Sequence, residues 1–104
     1  MFSFIETKLF TRLVQELLSD EEYQELQTLL IESPDEGKVI PGSGGVRKLR
    51  WRSPGRGKSG GYRVIYFAKF DQNVIWMLTM YPKNVQDNIS AKMLRQIRNE
   101  VENG

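Results

Sequence analysis

The sequence predicts an α+β fold in which an antiparallel sheet packs against an N-terminal helical hairpin and a C-terminal helix. Three observations predict it. Apolar residues recur at helical spacing in the first third, three runs rich in β-branched and aromatic residues follow between turn formers, and helical spacing returns at the end. With 104 residues and 39% apolar content the chain fits one domain, residues 1–104, large enough to bury a core without covalent staples.

Taken in order, "FSFIET" reads as a short opening strand. Leu9, Phe10, Leu13, Val14, Leu17 and Leu18 then form one side of an amphipathic helix over 7–18. Ser19 followed three residues later by Glu22 is a capping-box pattern, and Asp20 and Glu21 suit the positive end of a helix dipole, so a second helix runs over 20–32. Its buried stripe is Tyr23, Leu26, Leu29 and Leu30, and Pro34 and Gly37 end it. "VIPGSGG" reads as a flexible loop, "VRKLRWR" as a strand and "SPGRGKSGG" as an exposed loop. "YRVIYFAKF" and "NVIWMLTMY", joined by the polar turn "DQN", read as a hairpin, with Trp51, Phe67, Trp76 and Leu78 assigned to the core. The last helix starts near Ser90, with Ile89 and Leu94 at staple positions and Met93, Leu94, Ile97 and Val101 on its apolar side. Helices are expected on one sheet face, leaving the other to solvent.

Composition narrows the chemistry. The chain has no Cys and no His, which excludes disulfides and thiol catalysis and removes the commonest zinc ligand and general base. Asp20, Glu21 and Glu22 are explained by their place in a helix's first turn, so neither a metal site nor a cofactor is expected. No window approaches the roughly 18 apolar residues of a membrane helix, and the start lacks a signal-peptide pattern, so no membrane association and a cytoplasmic location are expected.

The charges are unevenly spread. Residues 1–36 carry two basic and nine acidic groups, residues 37–70 carry nine basic and no acidic groups, and residues 71–104 carry four of each. The middle third is where a polyanion binds best, and its interleaved aromatics and glycines suit single-stranded nucleic acid. Strand alternation puts Lys48, Arg50 and Arg52 on one face and Arg47, Leu49 and Trp51 on the other. Were the bound strand an RNA and were it cut, its own 2′-hydroxyl would be the nucleophile, and cleavage would need a base near that oxygen, positive charge at the phosphate and a proton donor for the leaving 5′-oxygen. Crowded like charges favour a neutral amine, which nominates Lys48 as the base, with Arg50 and Arg63 nearby.

The run "GGVRKLRWRSPGRGKSGGYRVIYF", the hydrophobic strand after it and "YPKN", together with "LSDEEY" upstream, resemble the RelE/HigB group of bacterial type II toxins, and within it the HigB branch. The resemblance implies a microbial RNase-like, RelE-like fold and a metal-independent endoribonuclease that cleaves mRNA on the translating ribosome. It also implies a cognate helix-turn-helix antitoxin, with operator DNA contacted only through the antitoxin complex. By this resemblance Lys48 and Arg50 match the active-strand cations, Arg63 the arginine of the next strand, and Lys83 lies near the basic residue after the last strand. Arg50 and Arg63 are then stabilisers of the phosphate and transition state, and Lys83 a proton donor or electrostatic partner. Arg47, Arg52, Arg56, Lys58, Tyr66 and Tyr81 are expected to bind RNA. After "YPKN" the chain departs from the family pattern at Val85 to Asn88, and the tyrosine that some members carry just beyond has no counterpart. Base stacking therefore falls to Tyr62, Tyr66, Tyr81 or Trp51. Two other functions fit the same residues less well: a non-hydrolytic toxin of this fold that binds a topoisomerase, and a plain RNA-binding module.

Overall fold

The computed structural model describes residues 2–52, 61–85 and 89–103. Strand β1 (Ser3–Glu6) leads into helix α1 (Lys8–Leu17) and helix α2 (Asp20–Glu32). Strands β2 (Lys38–Val39), β3 (Arg47–Trp51), β4 (Tyr62–Lys69) and β5 (Val74–Pro82) follow, and helix α3 (Ala91–Asn103) closes the order. The five strands form one sheet in the order β1-β5-β4-β3-β2.

The helices start where their caps dictate. The Thr7 hydroxyl accepts from Phe10 N at 3.0 Å and donates to Leu78 O at 2.8 Å, so one side chain both caps α1 and ties it to β5. Ser19 and Glu22 form the full capping box, with Glu22 N donating to the Ser19 hydroxyl at 3.1 Å and Ser19 N to the Glu22 carboxylate at 2.9 Å. At α3 the Ser90 hydroxyl accepts from Met93 N at 3.1 Å.

The expected all-antiparallel sheet is corrected to a mixed one, because β1 pairs with β5 in parallel, Ser3 opposite Val74 through Glu6 opposite Met77. The two helices between β1 and β2 allow the first strand to reach the far edge, where β5 still has unpaired backbone groups. A second correction concerns the open face. Phe10, Val14, Leu26 and Leu30 from α1 and α2 cover Leu49, Trp51, Val64, Tyr66, Ala68 and Met77 on one face. On the other, Leu94 of α3 packs with Val46, Ile65, Phe67 and Leu78, helped by Ile89, Ile97 and Val101. The apolar side of α3 needs a partner, so it covers half of the face expected to be bare. Arg98 lies 4.9 Å from the Phe67 ring centroid and pairs with Glu102 at 3.1 Å, which also pairs with Lys69 at 3.4 Å. Leu9 and Met93, placed on apolar stripes, are exposed.

The loop read as flexible is partly built. Lys38–Val39 forms a fifth strand on β3, and Ser43 is fully buried, its hydroxyl donating to Ile40 O at 2.6 Å and accepting from Val46 N at 3.0 Å. These bonds satisfy backbone groups that a buried turn leaves orphaned.

Two phenols, Tyr23 half-buried and Tyr66 buried, give the fold a pH limit. Tyr23 donates to Glu6, whose other oxygen accepts from Thr11 at 2.6 Å. Burial first, then the hydrogen bond and negative charge of Glu6, hold the Tyr23 phenol above its ordinary range, and burial raises that of Tyr66. Both folded-state values lie above the unfolded value near 10, so this contribution is complete below pH 10 and is lost as pH rises through the folded values. Urea midpoints should be flat up to about pH 9.5 and fall above it, and Tyr23→Phe should flatten the fall. An unchanged midpoint at pH 11.5 would contradict this.

Candidate functional site

The register of three strands assembles a cationic surface on the half-face that α3 leaves open. Lys38 lies opposite Lys48, which lies opposite Ile65. In the neighbouring row Arg50 lies opposite Arg63, which lies opposite Tyr81. Directly opposed residues have Cβ atoms about 5 Å apart, and residues two apart on a strand are separated by roughly 6.5 Å. Lys38, Lys48, Arg50 and Arg63 thus share a patch about one phosphodiester step wide. Both cross-strand pairs join like charges, which disfavours the sheet by some tenths of a kcal/mol each. Lys48 and Arg50 are exposed, while Ile65, opposite Lys48 on β4, is buried.

Two grooves meet at the Arg50–Arg63 pair. The larger, about 480 Å³, is lined by Glu36, Lys38, Val39, Ile40, Pro41, Lys48, Leu49, Arg50 and Arg63. Its size falls within the roughly 300–1,000 Å³ of small-ligand clefts. The second is lined by Arg50, Trp51, Arg52, Arg63 and Lys83. Lys83 sits in the turn after β5, where its backbone N donates to Gly61 O at 3.0 Å. The four residues nominated for catalysis, Lys48, Arg50, Arg63 and Lys83, therefore lie along one continuous surface, with Arg52 at its end. Forked guanidinium donors at the junction suit a phosphate bound by two oxygens. Among the described residues no three acidic side chains converge on a point where a metal could sit.

Two residues nominated for RNA binding are corrected. Tyr66 is fully buried on the helical face, its hydroxyl donating to Pro34 O at 2.8 Å and accepting from Gly37 N at 2.9 Å, so its ring cannot stack on a base. Arg47 is half-buried on that same face, and its Nη1 donates to Gly37 O at 2.7 Å and Asp35 O at 3.2 Å. Strand alternation had already put Arg47 opposite Lys48 in facing; it serves the 34–37 segment instead. Of the aromatics considered for stacking, Trp51 and Tyr62 also face the helices, with rings 6.5 Å apart and the Tyr62 hydroxyl donating to Leu17 O at 3.2 Å. Tyr81 stands in the Arg50–Arg63 row. Arg56 and Lys58 lie outside the described residues.

Glu36 and Lys38 escaped the sequence reading. The signal was "EGK" itself: a Cβ on Gly37 would lie 2.8 Å from the Tyr66 ring, so the glycine marks a close approach and its neighbours face the other way.

The fold agrees with that of known proteins. The E. coli RelE chain of an intact RelBE toxin-antitoxin complex superposes with a TM-score of 0.61 at 19% identity, covering 83% of this chain and 100% of that one. An E. coli RelE variant in the free state gives 0.58 at 18% identity, covering 80% and 84%, and an archaeal RelE–RelB complex from Pyrococcus horikoshii OT3 gives 0.57 at 22%, covering 82% and 98%. At these identities the likeness shows a shared fold. A family profile matches residues 4–102 as the RelE toxin of the RelE/RelB toxin-antitoxin system, which reaches into every element described above, and the chain therefore belongs to the RelE toxin family.

Proposed function

We propose that this RelE-family toxin belongs to the HigB branch and is a ribosome-dependent endoribonuclease that cleaves mRNA and stops translation. The observation that carries the reading is the Arg50–Arg63 pair, opposed across two strands and flanked by Lys38, Lys48 and Lys83 on an open half-face. Like charges directly opposed across strands disfavour the sheet, and a phosphodiester bound between them neutralises that repulsion. The RNA's 2′-hydroxyl attacks the adjacent phosphorus and expels the 5′-oxygen, leaving a 2′,3′-cyclic phosphate and a 5′-hydroxyl. Arg50 and Arg63 bracket the phosphate and stabilise charge on its oxygens in the transition state. Lys48 supplies positive charge at the attacking oxygen, and Lys83 protonates or stabilises the leaving one. Tyr81 is the stacking platform, and Arg52, Arg56 and Lys58 hold flanking phosphates. No metal or cofactor takes part.

The natural neutralising partner is a cognate antitoxin with a helix-turn-helix domain, and operator DNA is reached only through that complex. The two complexes of RelE with RelB among the similar structures support an antitoxin partner, and the helix-turn-helix domain is expected from the sequence resemblance alone. The site of action is the cytoplasmic ribosome.

A chain without histidine gains much of its rate from positioning, which oriented reactants supply at up to about 7–11 kcal/mol. Purified protein is therefore expected to cleave mRNA in programmed ribosomes at least about 100-fold faster than the same RNA free in solution. Equal rates on both substrates would contradict ribosome dependence.

A further inference from the structure

We propose that Glu36 accepts the proton of the attacking 2′-hydroxyl, in place of Lys48, the acceptor nominated from the sequence; this rests on the ribonuclease reading above. Glu36 is exposed and is, among the described residues, the only acidic one lining the larger groove. The charged groups facing it there are Lys38 from β2, Lys48 and Arg50 from β3, and Arg63 from β4. Among the described residues no ion pair ties up its carboxylate.

Its orientation is set from the opposite face. The Tyr66 hydroxyl holds Pro34 O and Gly37 N, and Arg47 holds Asp35 O and Gly37 O. Glu36 N donates to Ser33 O at 3.0 Å. Gly37 is thereby pinned against Tyr66 and Arg47 on the helical side, so the side chains before and after it turn to the cationic side, where Lys38 meets Lys48. Tyr66 and the half-buried Arg47 thus hold the segment that carries this carboxylate at the edge of an otherwise cationic groove.

Chemistry favours the carboxylate over the amine. A carboxylate is an acceptor with free lone pairs, whereas an ammonium group is a donor only and must shed a proton before it can accept one. In the step, the 2′-O–H bond breaks and its proton passes to a Glu36 oxygen, while the electron pair left on the 2′-oxygen forms the bond to phosphorus. The P–O5′ bond breaks with its electrons on the 5′-oxygen, which takes a proton from Lys83 or solvent.

The test is single-turnover cleavage of mRNA on programmed ribosomes at saturating protein, comparing wild type, Glu36→Gln and Glu36→His. Glu36→Gln should lower the saturating rate on the order of 10²–10⁴-fold, with the half-saturating concentration unchanged or lower, since the groove becomes more cationic. Glu36→His should recover at least tenfold of that loss, with a rate that falls below about pH 6.5 as the imidazole protonates. A glutamine variant within threefold of the wild-type rate would overturn the assignment. So would a loss accompanied by weaker binding or a lowered melting temperature, or the absence of rescue by histidine, because each makes Glu36 structural. Wild-type protein that leaves ribosome-bound mRNA intact would sink the ribonuclease reading itself and this inference with it.

Discussion

Replacing Lys48 and Arg50 together with alanine is expected to abolish growth arrest on expression and to lower the saturating cleavage rate at least about 10³-fold, with the fold intact. Removal of one preorganised donor from a charge-stabilising site typically costs about 10²–10³ in rate. The two losses need not multiply, because residues that act on one phosphate behave as a unit. Stability should hold for a different reason. Both side chains are exposed and neither joins the buried clusters, so truncation opens no cavity. It also relieves the repulsion of Lys48 with Lys38 and of Arg50 with Arg63. The melting temperature should therefore be unchanged or slightly higher. Growth arrest by a soluble double variant with a wild-type melting curve would move the chemistry away from this row.

Among the described glycines, Gly61→Ala should cause the largest loss of stability from a single added methyl group. Gly61 has φ +60°, and a Cβ there would lie 2.3 Å from Trp51 O, a backbone atom that cannot swing aside. Its own carbonyl accepts from Lys83 N, so the position joins the start of β4 to the turn that carries Lys83. A non-glycine residue in the left-handed region costs about 1–2 kcal/mol, and the backbone clash adds to it. The total is on the order of 3 kcal/mol or more, which lowers the melting temperature of a domain this size by roughly 12–24 °C. Thermal unfolding followed by circular dichroism checks it. A shift below about 4 °C would mean that β3 and β4 separate more easily than their register implies.

Much of the fold was legible because its signals are local. The bounds of α2 follow from the Ser19–Glu22 box and Pro34, and a period of two put Lys48 and Arg50 on one face whatever the sheet did. What escaped depends on partners distant in the chain. Nothing within "FSFIET" says that it pairs with Val74–Met77 in parallel, and nothing within "AKMLRQIRNEV" says which face it covers. The period of two also cannot distinguish a solvated arginine from one whose guanidinium caps a neighbouring segment, as Arg47 does, or a stacking tyrosine from a core one, as Tyr66 is. Glu36 reaches the site only through the pairing of Lys38 with Lys48, so the acidic first third appeared separate from the basic middle when charges were counted along the chain.

The most direct measurement uses a programmed ribosome whose mRNA carries one 2′-deoxynucleotide on the 5′ side of the mapped cleavage point. If the row of Lys48, Arg50 and Arg63 promotes attack by the substrate's own 2′-hydroxyl, the ribonucleotide message is cut to a 2′,3′-cyclic phosphate and a 5′-hydroxyl, and the deoxy-substituted message is not cut at that position. Cleavage of the substituted message at an undiminished rate, or a product ending in a 5′-phosphate, would contradict the account, because water and not the ribose would then be the nucleophile.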